Sequence, residues 1–215
     1  MIKPYTPLDI EVILKPEGLI SKHHSAFESR EEQVSMAVGV QGAFEKGRHL
    51  AVEAGTGVGK SFAYLIPAIE RVYKRSAKVL ISTFTINLQE QLINKDLPFL
   101  AEALPVDFTA VLAKGRGNYL CFRRLEYSMR RQRGLFDDFG ENLEEIKAWA
   151  YESKDGSLSD LDFFPRGDVW DAVKSEHGNC RGRRCRHFGK CFYQRARRSL
   201  ESADIIVSNH SLMFS

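Results

Sequence analysis

Residues 54–61 read Ala54-Gly55-Thr56-Gly57-Val58-Gly59-Lys60-Ser61, with a short apolar run at 49–53 before them and a helical pattern from Ser61 to about Lys74 after them. This order of strand, glycine-rich turn and helix constrains the fold more than any other stretch. It fits the Walker A pattern, with alanine in the usual first glycine position. Gly55, Gly57 and Gly59 let the backbone present N–H groups to phosphate oxygens, and the helix that follows adds the positive end of its dipole. Lys60 is then expected to reach the β- and γ-phosphates of a nucleotide, and Ser61 to hold Mg²⁺. The bland alternative is a glycine turn with an exposed lysine.

The neighbouring sequence extends the same rhythm. Apolar runs at 78–82, 108–112 and 204–208 read as further strands, with a helix from about Ile86 to Leu97 between the first two. Strands alternating with helices predict an α/β domain with a mainly parallel sheet. Residues 1–26 read as an irregular lead-in with a short strand at 11–14. Ser29 is expected to cap a helix running to about Glu45, with Gly47 as its stop. That helix carries Arg30 and Gln33, and the Gln33 amide has the donor and acceptor needed to read an adenine edge. A solvated polar residue is the alternative. At the end of the 78–82 strand, Thr83 and Thr85 offer hydroxyls to nucleic-acid phosphates, although Thr85 serves equally well as a helix cap.

The strand rhythm stops between residues 114 and 199, and this stretch holds all four cysteines. Net charge over the whole chain is only +3, yet it is strongly segregated. Residues 114–133 carry seven basic side chains against Glu126 alone, and 178–198 carry eight with no acid, while 135–172 hold eleven acids against three bases. Solvated helix faces would explain one such run. Two basic blocks interleaved with aromatic residues instead suit single-stranded nucleic acid, with Lys114, Arg116, Tyr119, Arg123, Arg183, Arg184, Phe192 and Arg195 as candidate contacts, while core packing is the commoner fate of any one aromatic.

Cys121, Cys180, Cys185 and Cys191 have the spacing C-x58-C-x4-C-x5-C. From spacing alone zinc is a strong candidate, with His177 and His187 as further ligands. Four thiolates also suit an iron–sulfur cluster. No apolar run approaches the roughly 20 residues of a membrane span.

Five segments occur in a telling order: Arg30-x-x-Gln33, residues 54–61, residues 82–92 (STFTINLQEQL), 114–121 (KGRGNYLC) and 204–212 (DIIVSNHSL). Together they resemble XPD-like superfamily 2 DNA helicases, most nearly the bacterial DinG-like branch. The resemblance implies an ATP-driven helicase moving 5′ to 3′ on single-stranded or forked DNA, with ATP and Mg²⁺ held by Arg30, Gln33 and residues 54–61. It further implies a 4Fe-4S cluster on the four cysteines. A RecA-like motor lobe would comprise residues 27–113 and 200–215, interrupted by a mostly helical cluster domain at 114–199. A monomer in the bacterial cytoplasm, associated with the nucleoid, is the implied setting, with a single-stranded-DNA-binding protein or other replication and repair factors as partners. The DEAH motif expected after 204–212 and the second motor lobe do not occur in these 215 residues, so the lobe is expected to be incomplete. Rival readings are a non-motor P-loop NTPase or kinase with a zinc insertion, and a module that binds nucleotide and DNA without catalysis.

Overall fold

The computed structural model describes residues 8–24, 27–131 and 138–214. Arg133 of the first basic block, Asp137 of the acidic run and the first seven residues of the lead-in lie outside them. The chain divides into two compact units, one made of residues 1–112 and 203–215 and the other of residues 113–202.

In the first unit, α1 (Ile10–Leu14) and α2 (Leu19–His23) replace the irregular lead-in and the strand expected at 11–14. Ile10, Ile13 and Leu14 are buried, a spacing of three and four that suits a helix and not a strand. The Asp9 carboxylate caps α1 by accepting from the Val12 N–H at 3.1 Å. Helix α3 (Glu31–Lys46) begins after Arg30, which makes no side-chain cap, so Ser29 does not open a capping box. Gly47 ends α3 with φ 61°, in the left-handed region that glycine tolerates.

Helix α4 (Lys60–Arg75) follows the glycine loop and buries Ala63, Leu65, Ile66, Ile69 and Val72. Truncating a fully buried leucine such as Leu65 costs about 2–5 kcal/mol in a packed core. Strand β1 (Val79–Thr83) leads into α5 (Ile86–Gln91), which passes through one π-helical turn at Leu92–Asp96 into α6 (Leu97–Ala103). Strand β2 (Ala110–Leu112) closes this half of the unit.

The second unit contains α7 (Phe122–Arg131), α8 (Asp138–Glu152), α9 (Gly167–Val173) and α10 (Phe192–Ser202). They pack round Leu120, Leu125, Leu143, Ile146, Val169 and Val173, a core separate from that of the first unit. The chain then returns to the first unit as β3 (Ile205–Asn209), followed by the short α11 (His210–Met213).

The sheet has the order β1-β3-β2 and is parallel throughout, as the alternating runs predict. At its upstream edge the Asp204 carboxylate accepts from the backbone N–H of Thr109 at 2.8 Å and from its hydroxyl at 2.7 Å. The apolar run at 49–53 differs from expectation: it forms no strand among the described residues, and Leu50 and Val52 are 48% and 46% exposed. Such a run becomes a strand only when a neighbouring strand takes up its backbone hydrogen bonds, and β1, β2 and β3 pair with each other instead.

Candidate functional site

The glycine loop adopts the backbone its sequence requires. Gly57 and Gly59 have φ of 81° and 79°, values that let successive N–H groups form an anion-binding concavity. Helix α4 begins at Lys60, so Lys60 and Ser61 occupy its first turn. The Lys60 ammonium donates to the carbonyls of Ala54 and Gly55 at 2.9 and 2.6 Å, which folds the side chain back over its own loop. Ser61 hydrogen-bonds Tyr64. Burial raises the Tyr64 phenol pKa, the bond to Ser61 offsets part of that rise, and Asp96 adds to it.

Both residues singled out ahead of the loop come to it. Gln33 is buried and its amide donates to the Gly59 carbonyl at 2.8 Å, while its own Oε1 is buried without a hydrogen-bond partner. A Cβ added at Gly59 would stand 2.1 Å from Gln33 Nε2, and one at Gly57 would stand 3.7 Å from the Arg30 guanidinium. Gln33 is therefore wedged against the loop and is not a solvated helix residue. Arg30 is exposed and pairs with Glu28 at 3.4 Å.

In the second unit all four cysteines line one pocket, together with Arg123, Arg124 and Arg181. Cys121 and Cys191 directly precede α7 and α10, and their carbonyls accept the first-turn N–H groups of Leu125 and Arg195 at 2.9 and 3.0 Å. Both thiols thus sit at helix N-termini, where negative charge is favoured. Burial pushes the Cys191 thiol up, backbone N–H groups of Gln194 and Tyr193 pull it down, and Cys121 and Cys180 push it up again. Cys180 is exposed and accepts from the Gly182 N–H at 3.4 Å. Four thiol donors beside cationic arginines suit a negatively charged metal–thiolate group. Among the described residues no three His, Cys, Asp or Glu side chains are grouped to hold a single metal ion.

The structure sorts the candidate DNA contacts. Tyr119 and Phe192 are each 3% exposed and belong to the core, Phe192 stacked on Phe122 at 5.0 Å. Neither ring is open to a nucleic-acid base, a correction whose cause is that both pack into one core with Leu120, Phe122 and Leu125. Burial, with smaller contributions from Asp155 and Tyr193, pushes the Tyr119 phenol pKa up to about 12.

Lys114 donates to Asp155, Ser157 and Ser159 at 2.7 to 2.8 Å, so the three N–H bonds of its ammonium are engaged. Arg116 lies over the Tyr193 ring at 4.1 Å and donates to the Glu176 carbonyl. Arg123 donates to the Asn179 carbonyl and Arg195 to the Lys154 carbonyl. Arg183 and Arg184 are exposed, and Arg184 joins Arg123, Arg130, Arg181 and Arg186 in lining a cavity of about 300 Å³.

Of the two threonines, Thr83 is buried and donates to the Thr85 carbonyl, while Thr85 caps α5 by accepting from Leu88 N–H. Sequence reasoning missed Tyr64, Phe84 and His210. Phe84 lay in plain view inside residues 82–92, where only the hydroxyls drew attention.

Residues 36–115 match the DEAD/DEAH box helicase family. The chain is similar to helicases named YoaA and DinG. It is 38% identical over 198 residues to the ATP-dependent DNA helicase YoaA of Escherichia coli, a match covering 92% of this chain and 30% of that protein. It is 40% identical over 202 residues to the ATP-dependent helicase DinG of Mycobacterium tuberculosis, covering 86% of this chain and 30% of that protein. A Bacillus subtilis relative, 30% identical over 92% of this chain and 21% of its own length, is named as the 3′-5′ exonuclease DinG. The chain spans about 30% of the length of the first two relatives.

Proposed function

We propose that this chain provides the ATP-binding part of an ATP-dependent DNA helicase, together with a unit that holds a 4Fe-4S cluster and grips DNA. One observation carries the reading: Lys60, Ser61 and Gln33 converge on a single glycine loop. In this reading the Lys60 ammonium exchanges the carbonyls of Ala54 and Gly55 for the β- and γ-phosphate oxygens of ATP. The loop N–H groups cradle those oxygens, and the Ser61 hydroxyl leaves Tyr64 to ligate Mg²⁺. Gln33 fixes Gly59 and so senses whether the loop has closed on nucleotide.

Cys121, Cys180, Cys185 and Cys191 would hold the 4Fe-4S cluster, which supplies a rigid, electron-accepting staple for the second unit. Exposed Arg183 and Arg184, with Arg116, Arg123 and Arg195 of the same unit, serve single-stranded or forked DNA as phosphate contacts. Translocation from 5′ to 3′ follows from the family resemblance, as do the nucleoid setting and partnership with a single-stranded-DNA-binding protein or other replication and repair factors.

The test is DNA-stimulated ATP hydrolysis by the intact protein. Lys60→Ala is expected to lower it by about 100-fold or more, the scale of losing one preorganised charge-stabilising donor, with iron content unchanged. ATP turnover retained by that variant would refute the role of Lys60. Iron and acid-labile sulfide analysis of protein purified without oxygen decides the cofactor, and zinc without iron would overturn the cluster.

A further inference from the structure

The parallel register pairs Ser82 with Ser208 and Thr83 with Asn209. The next residues, Phe84 and His210, therefore leave the same end of the sheet side by side, with ring centroids 6.2 Å apart. Phe214 continues the row 6.3 Å beyond His210. Ser82 Oγ and His210 Nδ1 are 2.6 Å apart, a hydrogen bond that fixes the imidazole against β1. Phe84 is 85% exposed, so its ring contributes little to the core.

This end of the sheet is the carboxyl end of its parallel strands, where open α/β sheets bind their ligands. From Val79 to Gln89 and from Ile205 to Phe214 there is no Asp, Glu, Lys or Arg. Serines, threonines and asparagines flank the rings in sequence, and no acid there opposes a phosphate backbone. Aromatic faces in such a setting suit nucleic-acid bases, because every base has a π-face to stack and none needs a particular hydrogen-bonding edge.

We propose that Phe84 and His210 form a stacking platform for the bases of single-stranded DNA, extended by Phe214. The inference rests on the DNA-binding reading above and adds a contact to bases, where that reading has contacts to phosphates. Ser82 is a positioning residue, acting through the imidazole.

Fluorescence anisotropy of the full-length protein tests it with two labelled oligonucleotides of equal length, one of thymidines and one of abasic sites. Phe84→Ala is expected to weaken binding to the thymidine strand by about 5- to 100-fold, the span of one base–aromatic stack, and to leave the abasic strand unaffected. Phe84→Trp should bind both strands as the unaltered protein does, which separates lost stacking from lost folding. Ser82→Ala should produce a smaller loss confined to the thymidine strand. If Phe84→Ala binds the thymidine strand normally, or loses both strands equally, the platform is refuted while the DNA reading stands. If the unaltered protein binds neither strand, the DNA reading fails and the platform fails with it.

Discussion

Gln33 donates its side-chain amide to the carbonyl of Gly59 at 2.8 Å, joining α3 to the phosphate loop across 26 positions of sequence. The contact is close enough that any side chain at Gly59 meets the amide, since a Cβ would stand 2.1 Å away. Gly59 also has φ 79°, where a residue with a Cβ is strained by about 1–2 kcal/mol. Gly59→Ala is therefore expected to lose ATP affinity by at least about tenfold, the effect of 1.4 kcal/mol, read by titration with a fluorescent ATP analogue. Adding Gln33→Ala should recover part of that loss by removing the clash while leaving the backbone strain. Unchanged affinity in Gly59→Ala would mean that the loop does not close in this conformation.

Lys114 and Arg184 are both basic and both lie in the cysteine-bearing unit, yet only one is free to meet a phosphate. Each phosphate neutralised on a single strand contributes about 0.7 to the slope of log affinity against log salt. Arg184→Ala should reduce the slope by about that amount. Lys114→Ala should leave the slope unchanged and instead destabilise residues 113–202 by about 1–2 kcal/mol, because Asp155 and the fully buried Ser157 lose their shared donor. Thermal unfolding together with salt-dependent DNA binding separates the two effects.

Alkaline titration offers a check on the buried Tyr119. Its folded pKa is raised from the ordinary 10.0 to about 12, so the native state keeps a proton that the unfolded state loses first. Stability from this group is complete below pH 10 and falls as the pH rises from 10 to 12, by up to about 3 kcal/mol at 1.36 kcal/mol per pH unit. Tyr119→Phe should flatten that part of the stability curve, measured by urea unfolding at a series of pH values. Equal slopes for both proteins would place the phenol in solvent.

Cys185→Ser is expected to lose bound iron and the visible absorption of the cluster while keeping ATP binding, because the glycine loop belongs to the other compact unit. Retention of stoichiometric iron would remove Cys185 from the ligand set.

Parts of this architecture were legible in the residues themselves. The apolar runs at 78–82, 108–112 and 204–208 became β1, β2 and β3 within two residues, because parallel strands read as near-continuous apolar stretches. The run at 49–53 misled because strand formation depends on a neighbour that a local pattern does not reveal. Residues 10–14 misled in the other direction: two prolines and a glycine nearby masked a capped helical turn. At the candidate site, spacing located the loop but not the wedge of Gln33 against it, a contact between residues far apart in the chain. Tyr119 and Phe192 looked like stacking platforms because aromatics among arginines have the same sequence signature whether they face solvent or core. Lys114 and Arg184 are likewise alike in sequence and differ only through Asp155, Ser157 and Ser159, which fold against one of them.

Strands β2 and β3 are neighbours and run in the same direction, with Leu112 beside Val207. The chain therefore departs at one end of the sheet and must re-enter at the other, near the Asp204–Thr109 clamp. A tight turn cannot make that journey, and parallel partners need a crossover of about a dozen residues or more, usually a helix. Residues 113–202 thus occupy the place of a single crossover helix. A shortened protein made by excising them requires a helical bridge of that length, whereas a two-residue splice would reverse β3 and break the sheet.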